Sequence, residues 1–200
     1  MPTTGILIFV GLYIYASTLY PGGSQADSNS VGFDWINNYW CDLTNEYGVN
    51  RMHNPARPFA ISAMTILCIS LTIFFIQFAR KLATNPFWKS TIQVSGTISM
   101  IFAILIFTKY HDLMTIIASF FGLLVLVGII REVYKSEMTK FKISGITCII
   151  LLIMNNYMYY GQQLVEHLPL IQKITFVFIL IWIIGLNYKL TEKNTLQRSA

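Results

Sequence analysis

The sequence predicts an all-α, polytopic membrane protein, a bundle of six transmembrane helices with one long external loop between helices 1 and 2. Of its 200 residues, 54% are hydrophobic and only 12% are charged, about half the charged fraction of an ordinary soluble domain. The charges lie mainly between six apolar runs. A water-soluble fold of this size cannot bury so much apolar side chain. A soluble enzyme, a nucleic-acid-binding module and a disordered tail are therefore excluded as leading interpretations.

The lengths of the apolar runs predict the membrane spans. A hydrocarbon core about 30 Å thick requires about 20 apolar residues in a helix. Runs that match or approach this length occupy residues 5–20, 59–79, 91–108, 113–130, 143–160 and 171–188. In lipid, such a run satisfies its backbone hydrogen bonds within the segment only as a helix. We expect one membrane domain over residues 1–200, with residues 21–57 as its only long loop.

The first run is predicted to remain as a helix rather than to be cleaved as a signal peptide. A signal peptide begins with a basic segment, and no Lys or Arg precedes Arg51. Pro21, followed by two glycines, ends the run.

The distribution of basic residues predicts the orientation, because cytoplasmic loops carry an excess of Lys and Arg. If the segment after the second span is inside, ten of the 14 basic residues are inside: Arg80, Lys81, Lys89, Arg131, Lys135, Lys140, Lys142, Lys189, Lys193 and Arg198. Those left outside are Arg51, Arg57, Lys109 and Lys173. We therefore expect a multi-pass protein of the cell membrane with both termini in the cytoplasm.

The long loop is rich in aromatic side chains: Phe33, Trp35, Tyr39 and Trp40. Loops of this length are usually functional or disordered, and the aromatic content disfavours disorder. Two interpretations stay open. The aromatic residues form an interfacial belt, or they belong to a short helix or cap over the outer end of the bundle.

Arg57 stands out at the start of the second span. Asn54 and Pro55 suit a helix start, as an N-cap and a first-turn proline. A guanidinium at a helix N-terminus, in contrast, lies at the unfavourable end of the dipole. Arg57 either extends to the headgroups or forms a bidentate clamp on a lipid phosphate or carboxylate.

The three histidines all fall at the predicted outer face. The candidate catalytic residues are accordingly Asp42, His53, His111, Asp112 and His167. Three imidazoles and a carboxylate are the ligand types of a catalytic zinc site, which would use His53, His111, His167 and Asp42. No two of these histidines have the helical spacing that makes a metal motif specific. The alternative is interfacial histidines that contact headgroups or solvent.

The outer half of the fifth span carries a polar face. Asn156, Tyr160, Gln163 and His167 recur at i, i+4, i+7 and i+11, on one side of a helix. Amides are costly in lipid, so this face is expected to line the bundle interior or a wet cavity. Together with Arg57, Asn156, Tyr160 and Gln163 are the predicted substrate-binding residues. The alternative is that they form hydrogen bonds between helices.

Two short motifs support a family resemblance. Residues 38–43, Asn-Tyr-Trp-Cys-Asp-Leu, and residues 54–57, Asn-Pro-Ala-Arg, resemble motifs of the six-span DRAM/Sfk/GPI-remodelling membrane proteins and of a related uncharacterised bacterial family. Cys41 stands where that family usually has serine. The resemblance implies a membrane-embedded role near lipids, and it implies no catalytic residues for the bacterial branch.

Three functions are therefore weighed. The first is a lipid-interacting envelope protein with an outward-facing polar cavity, and the second is a zinc-dependent intramembrane hydrolase acting on a lipid-like substrate. The third is a small transporter, which is disfavoured because no charge is predicted in the middle of a span. Membrane lipid is the expected partner and nucleic acid is not. Enzymatic activity and homo-oligomerisation stay open.

Overall fold

The computed structural model describes residues 2–136, 138–161 and 164–199, with side chains described through residue 192. It contains the helices α1 (Pro2–Thr18), α2 (Arg57–Leu82), α3 (Pro86–Ile104), α4 (His111–Lys135), α5 (Thr139–Gly161) and α6 (Leu168–Ser199). Short 3-10 helices lie at Trp40–Thr44, Leu105–Phe107 and Val165–His167. Over these residues extended pairing is limited to two isolated bridges, Gly22 with Val31 and Tyr47 with His53. The predicted all-α class is confirmed.

Five of the helices are long and apolar enough to cross a membrane: α2, α3 with the turn after it, α4, α5 and α6. α1 is apolar but has 17 residues, slightly fewer than the usual span of about 20. The architecture is that of a multi-pass membrane protein. A sixth span through α1 stays a prediction.

Apolar side chains remain exposed along the spanning helices in stripes. On α4 the exposed stripe recurs at intervals of three and four residues: Leu113, Ile116, Phe120, Leu123 and Val127. α5 has a similar stripe: Ile143, Ile146, Ile150 and Ile153. In water, contiguous apolar surface of this kind would promote aggregation. Against lipid chains it is the expected surface of a spanning helix.

The chain divides into two compact units. The first, called the hairpin unit, comprises Met1–Ile6, Thr65–Ile146 and Ile181–Ala200. The second, called the loop unit, comprises Leu7–Met64 and Thr147–Leu180.

In the hairpin unit, small residues let the helices approach closely. A Cβ atom added to Gly96 of α3 would lie 2.6 Å from Cδ2 of Phe75 in α2. One added to Gly128 of α4 would lie 2.7 Å from Cγ1 of Ile92. The hydroxyl of Ser99 donates to the carbonyl of Ala118 at 2.8 Å. These contacts are the small-residue packing that is common where membrane helices cross.

A buried carboxylate connects α4 to the segment between α2 and α3. Glu132 is 2% exposed, and its Oε2 accepts hydrogen bonds from the backbone N–H and the hydroxyl of Thr84, at 3.2 and 3.4 Å. Arg131 pairs with Oε1 at 2.8 Å and lies over the Trp88 ring. The same segment starts α3, because the Asn85 side chain caps the first turn and Pro86 follows it.

Candidate functional site

Residues 19–56, here called the loop segment, fold into a compact structure whose two ends are tied together. The Tyr20 hydroxyl accepts the backbone N–H of Val49 at 3.0 Å, and the Asn50 amide donates to the carbonyl of Pro21 at 2.9 Å. Gly23 has a φ of 80°, and a Cβ atom there would lie 2.3 Å from the backbone nitrogen of Asn50. Only glycine fits at this close approach.

Asn38 is the centre of the segment's hydrogen bonding. Its side chain is completely buried, and its Nδ2 donates to the carbonyl of Gly23 and to Oδ2 of Asp42, both at 2.9 Å. Its Oδ1 accepts the backbone N–H of Asp34 at 2.9 Å. Both ends of this amide are used, as expected for a buried polar side chain. Asn38 therefore fixes the turn that precedes the 3-10 helix Trp40–Thr44.

Asp42 lies in that 3-10 helix and is 4% exposed. Its Oδ2 also accepts the backbone N–H of Tyr39, at 2.8 Å. Burial raises the pKa of Asp42 above its ordinary value of 3.8, and the bonds from Asn38 and Tyr39 and the charge of Lys173 oppose that increase. The carboxylate is thus held by protein donors in a desolvated position.

Cys41, next to Asp42, is not suited to nucleophilic chemistry. Burial, with the nearby charge of Asp42, raises the pKa of the Cys41 thiol to about 12. At neutral pH the thiolate, which is the reactive form, is almost absent.

Asn54 closes the loop segment before α2 begins. It is 1% exposed, and its Nδ2 donates to three carbonyls of the preceding turn, at 3.2, 3.2 and 2.9 Å: Asp42, Leu43 and Asn45. Its Oδ1 accepts the N–H of Ala56 at 3.1 Å. Asn54 therefore forms a turn that precedes α2, whose first residue is Arg57, instead of capping the helix as expected.

Lys173 of α6 joins this group from a distant part of the sequence. It is 6% exposed, and its Nζ donates to the carbonyl of Asn38 and to that of Pro169 at 3.1 Å. We refer to Asn38, Asp42, Asn54 and Lys173 as the Asp42 cluster. From the sequence, Lys173 is predicted only to be a basic residue of the outer face. Its position inside an apolar run was the available signal, because a charge in a span requires a polar partner inside the protein.

Aromatic rings of the loop unit pack around Trp40, two residues before Asp42. The ring of Trp40 lies 4.7 to 6.3 Å from the rings of four neighbours: Phe9, Tyr13, Trp35 and Phe176. The Tyr13 hydroxyl donates to the carbonyl of Trp40 at 2.9 Å. Trp35 is 45% exposed. The aromatic residues were predicted to form either a belt at the membrane interface or a folded cap. The packing of Trp40 supports a cap, while the exposed Trp35 is still able to contact the membrane interface.

Arg57 retains unused donors. Its Nη1 lies 4.0 Å from Oε2 of Glu46, and both side chains are substantially exposed. Its Nε is buried and has no hydrogen-bond partner among the described residues. A buried unpaired donor is uncommon in proteins and calls for a physical explanation.

The structure places the predicted histidines at exposed positions. His53 contacts the ring of Tyr47 in the loop unit, and His167 there lies 3.5 Å from Glu166. In the hairpin unit, His111 pairs with Asp112 at 3.1 Å. In the described part of the chain, no group of three or more His, Cys, Asp or Glu side chains is arranged to hold a metal ion. The structure brings Asp42 together with Asn38, Asn54 and Lys173, and the zinc site stays a prediction.

The predicted polar face of α5 is exposed where the structure describes it. Asn156 donates to the carbonyl of Leu152 in its own helix at 2.8 Å, and Tyr160 is 70% exposed. Gln163 lies outside the described residues. The amide of this helix that reaches α6 is Asn155, which donates to the Thr175 hydroxyl at 2.6 Å.

Comparison of the chain with known protein families, with curated proteins and with solved structures finds no match. The geometry of the loop segment is therefore the basis on which its function is inferred.

Proposed function

We propose that this protein is an integral membrane protein of the cell envelope that binds anionic lipid headgroups at the outer membrane surface, with Arg57 as the contact residue. The proposal includes six spans with both termini in the cytoplasm, so that the loop segment lies outside. The resemblance of residues 38–43 and 54–57 to six-span, lipid-associated membrane proteins is consistent with it.

The state of the Arg57 guanidinium carries the proposal. Its contact with Glu46 is 4.0 Å long, which is longer than a hydrogen bond, and 37% of its side chain is exposed. Guanidinium groups bind phosphate through two parallel N–H donors. Because Arg57 is the first residue of α2, a phosphate beside it would also offset the unfavourable helix dipole.

The Asp42 cluster supports the proposal by making the loop segment rigid. Asn54 binds the turn that precedes α2, and Lys173 connects the backbone of the segment at Asn38 to α6. Arg57 therefore begins α2 directly after a fixed turn. A preorganised contact residue loses less entropy on binding than one on a mobile loop.

The test is lipid retention measured by native mass spectrometry of the purified protein titrated with phosphatidylglycerol. Arg57→Gln is expected to weaken binding by at least about tenfold, since a charge-assisted bond contributes about 1.5–3 kcal/mol. Arg57→Lys keeps the charge but not the two-donor geometry, so it should restore only part of the loss.

Arg51→Gln is the matched control, because it removes the same charge from an exposed side chain of the adjoining loop segment. The proposal predicts that this variant binds as the wild type does. Equal losses in Arg51→Gln and Arg57→Gln would indicate general surface attraction and would contradict a specific contact, as would unchanged binding in Arg57→Gln.

A further inference from the structure

The hairpin unit contains an open groove between α2 and α3 that is separate from the loop segment. Its volume is about 330 Å³, and its lining residues are Ile76, Arg80, Gln93, Val94, Thr97 and Ile98. This volume is many times the roughly 10–15 Å³ that a cavity needs to hold one water molecule on the same measure. This is enough for a segment of one acyl chain.

The packing of α3 explains why the groove is open on one side. Ile92, Ser95, Gly96 and Ser99 form the buried face of this helix. Gly96 brings α3 close to Phe75 of α2. Val94 and Ile98 lie to the side of this contact. Val94 is 53% exposed and Ile98 is partly exposed. With Ile76 they form an apolar wall that no described side chain covers.

One end of the groove is basic. Arg80 is exposed in the last turn of α2, beside Lys81. Lys89 lies one helical turn before Gln93, on the same face of α3. Among the described residues, no acidic side chain lines the groove or pairs with Arg80. Glu132, a buried acid of this unit, is already bonded to Arg131 and Thr84.

We infer that this groove binds an anionic phospholipid, with one acyl chain along the apolar wall and the phosphate at Arg80. Membrane lipid is the medium in contact with an exposed apolar groove on spanning helices. Basic pockets between spanning helices select anionic headgroups. Gln93 adds an amide donor to the lining of the groove. The inference does not rest on the proposed function, because it uses other residues in the other unit.

The test uses the full chain reconstituted in phosphatidylcholine vesicles with a trace of spin-labelled phosphatidylglycerol. The fraction of label immobilised by the protein is compared with that of spin-labelled phosphatidylcholine. Arg80→Gln is expected to lower the preference for phosphatidylglycerol about fivefold, the effect of one basic residue near an anionic lipid. Val94→Trp, which fills the groove while keeping its charge, should lower it to a similar extent.

Two matched controls separate the groove from general effects. Lys140→Gln removes an exposed charge of the same unit, and Ile101→Trp adds the same bulk to an exposed position of α3 outside the groove. Both should keep the wild-type preference. Equal losses in Lys140→Gln and Arg80→Gln would overturn the inference. A second outcome would also overturn the inference. If Val94→Trp changes the oligomeric state, measured by light scattering, but leaves the lipid preference unchanged, a second copy of the chain occupies the groove instead of a lipid. If the two lipid contacts are independent, Arg80→Gln lowers this preference by the same factor in an Arg57→Gln background as in the wild-type background.

Discussion

Replacement of Lys173 by Met should release the loop segment from α6. Methionine is unbranched and apolar, so it occupies similar space but donates no hydrogen bond. The carbonyl of Asn38, a residue with no exposed surface, would lose the Nζ of Lys173 as a donor. An unsatisfied buried acceptor costs about 1–3 kcal/mol. The central figure, about 2 kcal/mol, corresponds to an increase of about 30-fold in the population of the opened segment.

Cys41 provides an internal reporter for this opening. Its thiol lies beside Asp42 with a pKa raised to about 12, so it reacts slowly while the segment is closed. When labelling passes through the opened state, its rate follows the opening equilibrium. Maleimide modification of Cys41, quantified in the purified protein by peptide mass spectrometry, should therefore accelerate about 30-fold in Lys173→Met.

Lys189→Met is the control, since it changes the same residue type in the same helix. Lys189 is exposed and pairs with Glu192 at 2.7 Å, and exposed ion pairs of this kind add little to stability. Its Cys41 rate should remain near that of the wild type. If Lys173→Met also labels within about twofold of the wild-type rate, the hydrogen bond from α6 does not stabilise the segment and the reasoning is refuted.

Two further predictions concern pH dependence and helix packing. Because the pKa of Asp42 is raised above 3.8, the folded protein binds more protons than the unfolded one between the two pKa values. The free energy of unfolding therefore decreases as the pH rises from the unfolded-state pKa of Asp42 to its folded-state pKa. Asp42→Asn should remove this loss, measured as the thermal unfolding midpoint from about pH 4 upward; an unchanged pH profile would contradict it. Gly96→Ala places a Cβ atom 2.6 Å from Phe75 and should destabilise the protein by about 1–3 kcal/mol. Gly11→Ala, which meets nothing within 4 Å, should be neutral or stabilising by up to about 1 kcal/mol in the same denaturation assay. Equal effects of the two substitutions would show that α2 and α3 do not pack tightly at Gly96.

Hydropathy predicted the helices well because lipid forces a long apolar run to be helical. It located their ends less well. α3 starts at Pro86 rather than near residue 91, because Lys89 and Ser90 lower the hydropathy of its first turns. Asn85 followed by Pro86 was the available signal for that start. α6 extends to Ser199, beyond its apolar run, since a polar helix carries no hydropathy signal.

The candidate site was only partly predictable. Asp42 and Asn54 were recognised in the sequence, and Asn38 begins one of the two motifs. Lys173 was missed because it lies 135 residues from its partner Asn38, and no local spacing connects them. Glu132 was not recognised in the sequence either, although it is buried and accepts hydrogen bonds from Thr84 in a distant segment. Contacts between distant segments depend on how the helices pack, which periodicity does not specify.

Labelling of single cysteines in intact cells with an impermeant maleimide tests the proposed membrane orientation most directly. The experiment uses Ser28→Cys in the loop segment and Lys140→Cys at the start of α5, each in a background without Cys41, Cys68 and Cys148. Both positions are exposed. Ser28→Cys is expected to react in intact cells, and Lys140→Cys only after the membrane is permeabilised. Labelling of Lys140→Cys in intact cells, with Ser28→Cys protected, would contradict an external loop segment and the lipid contact proposed for Arg57.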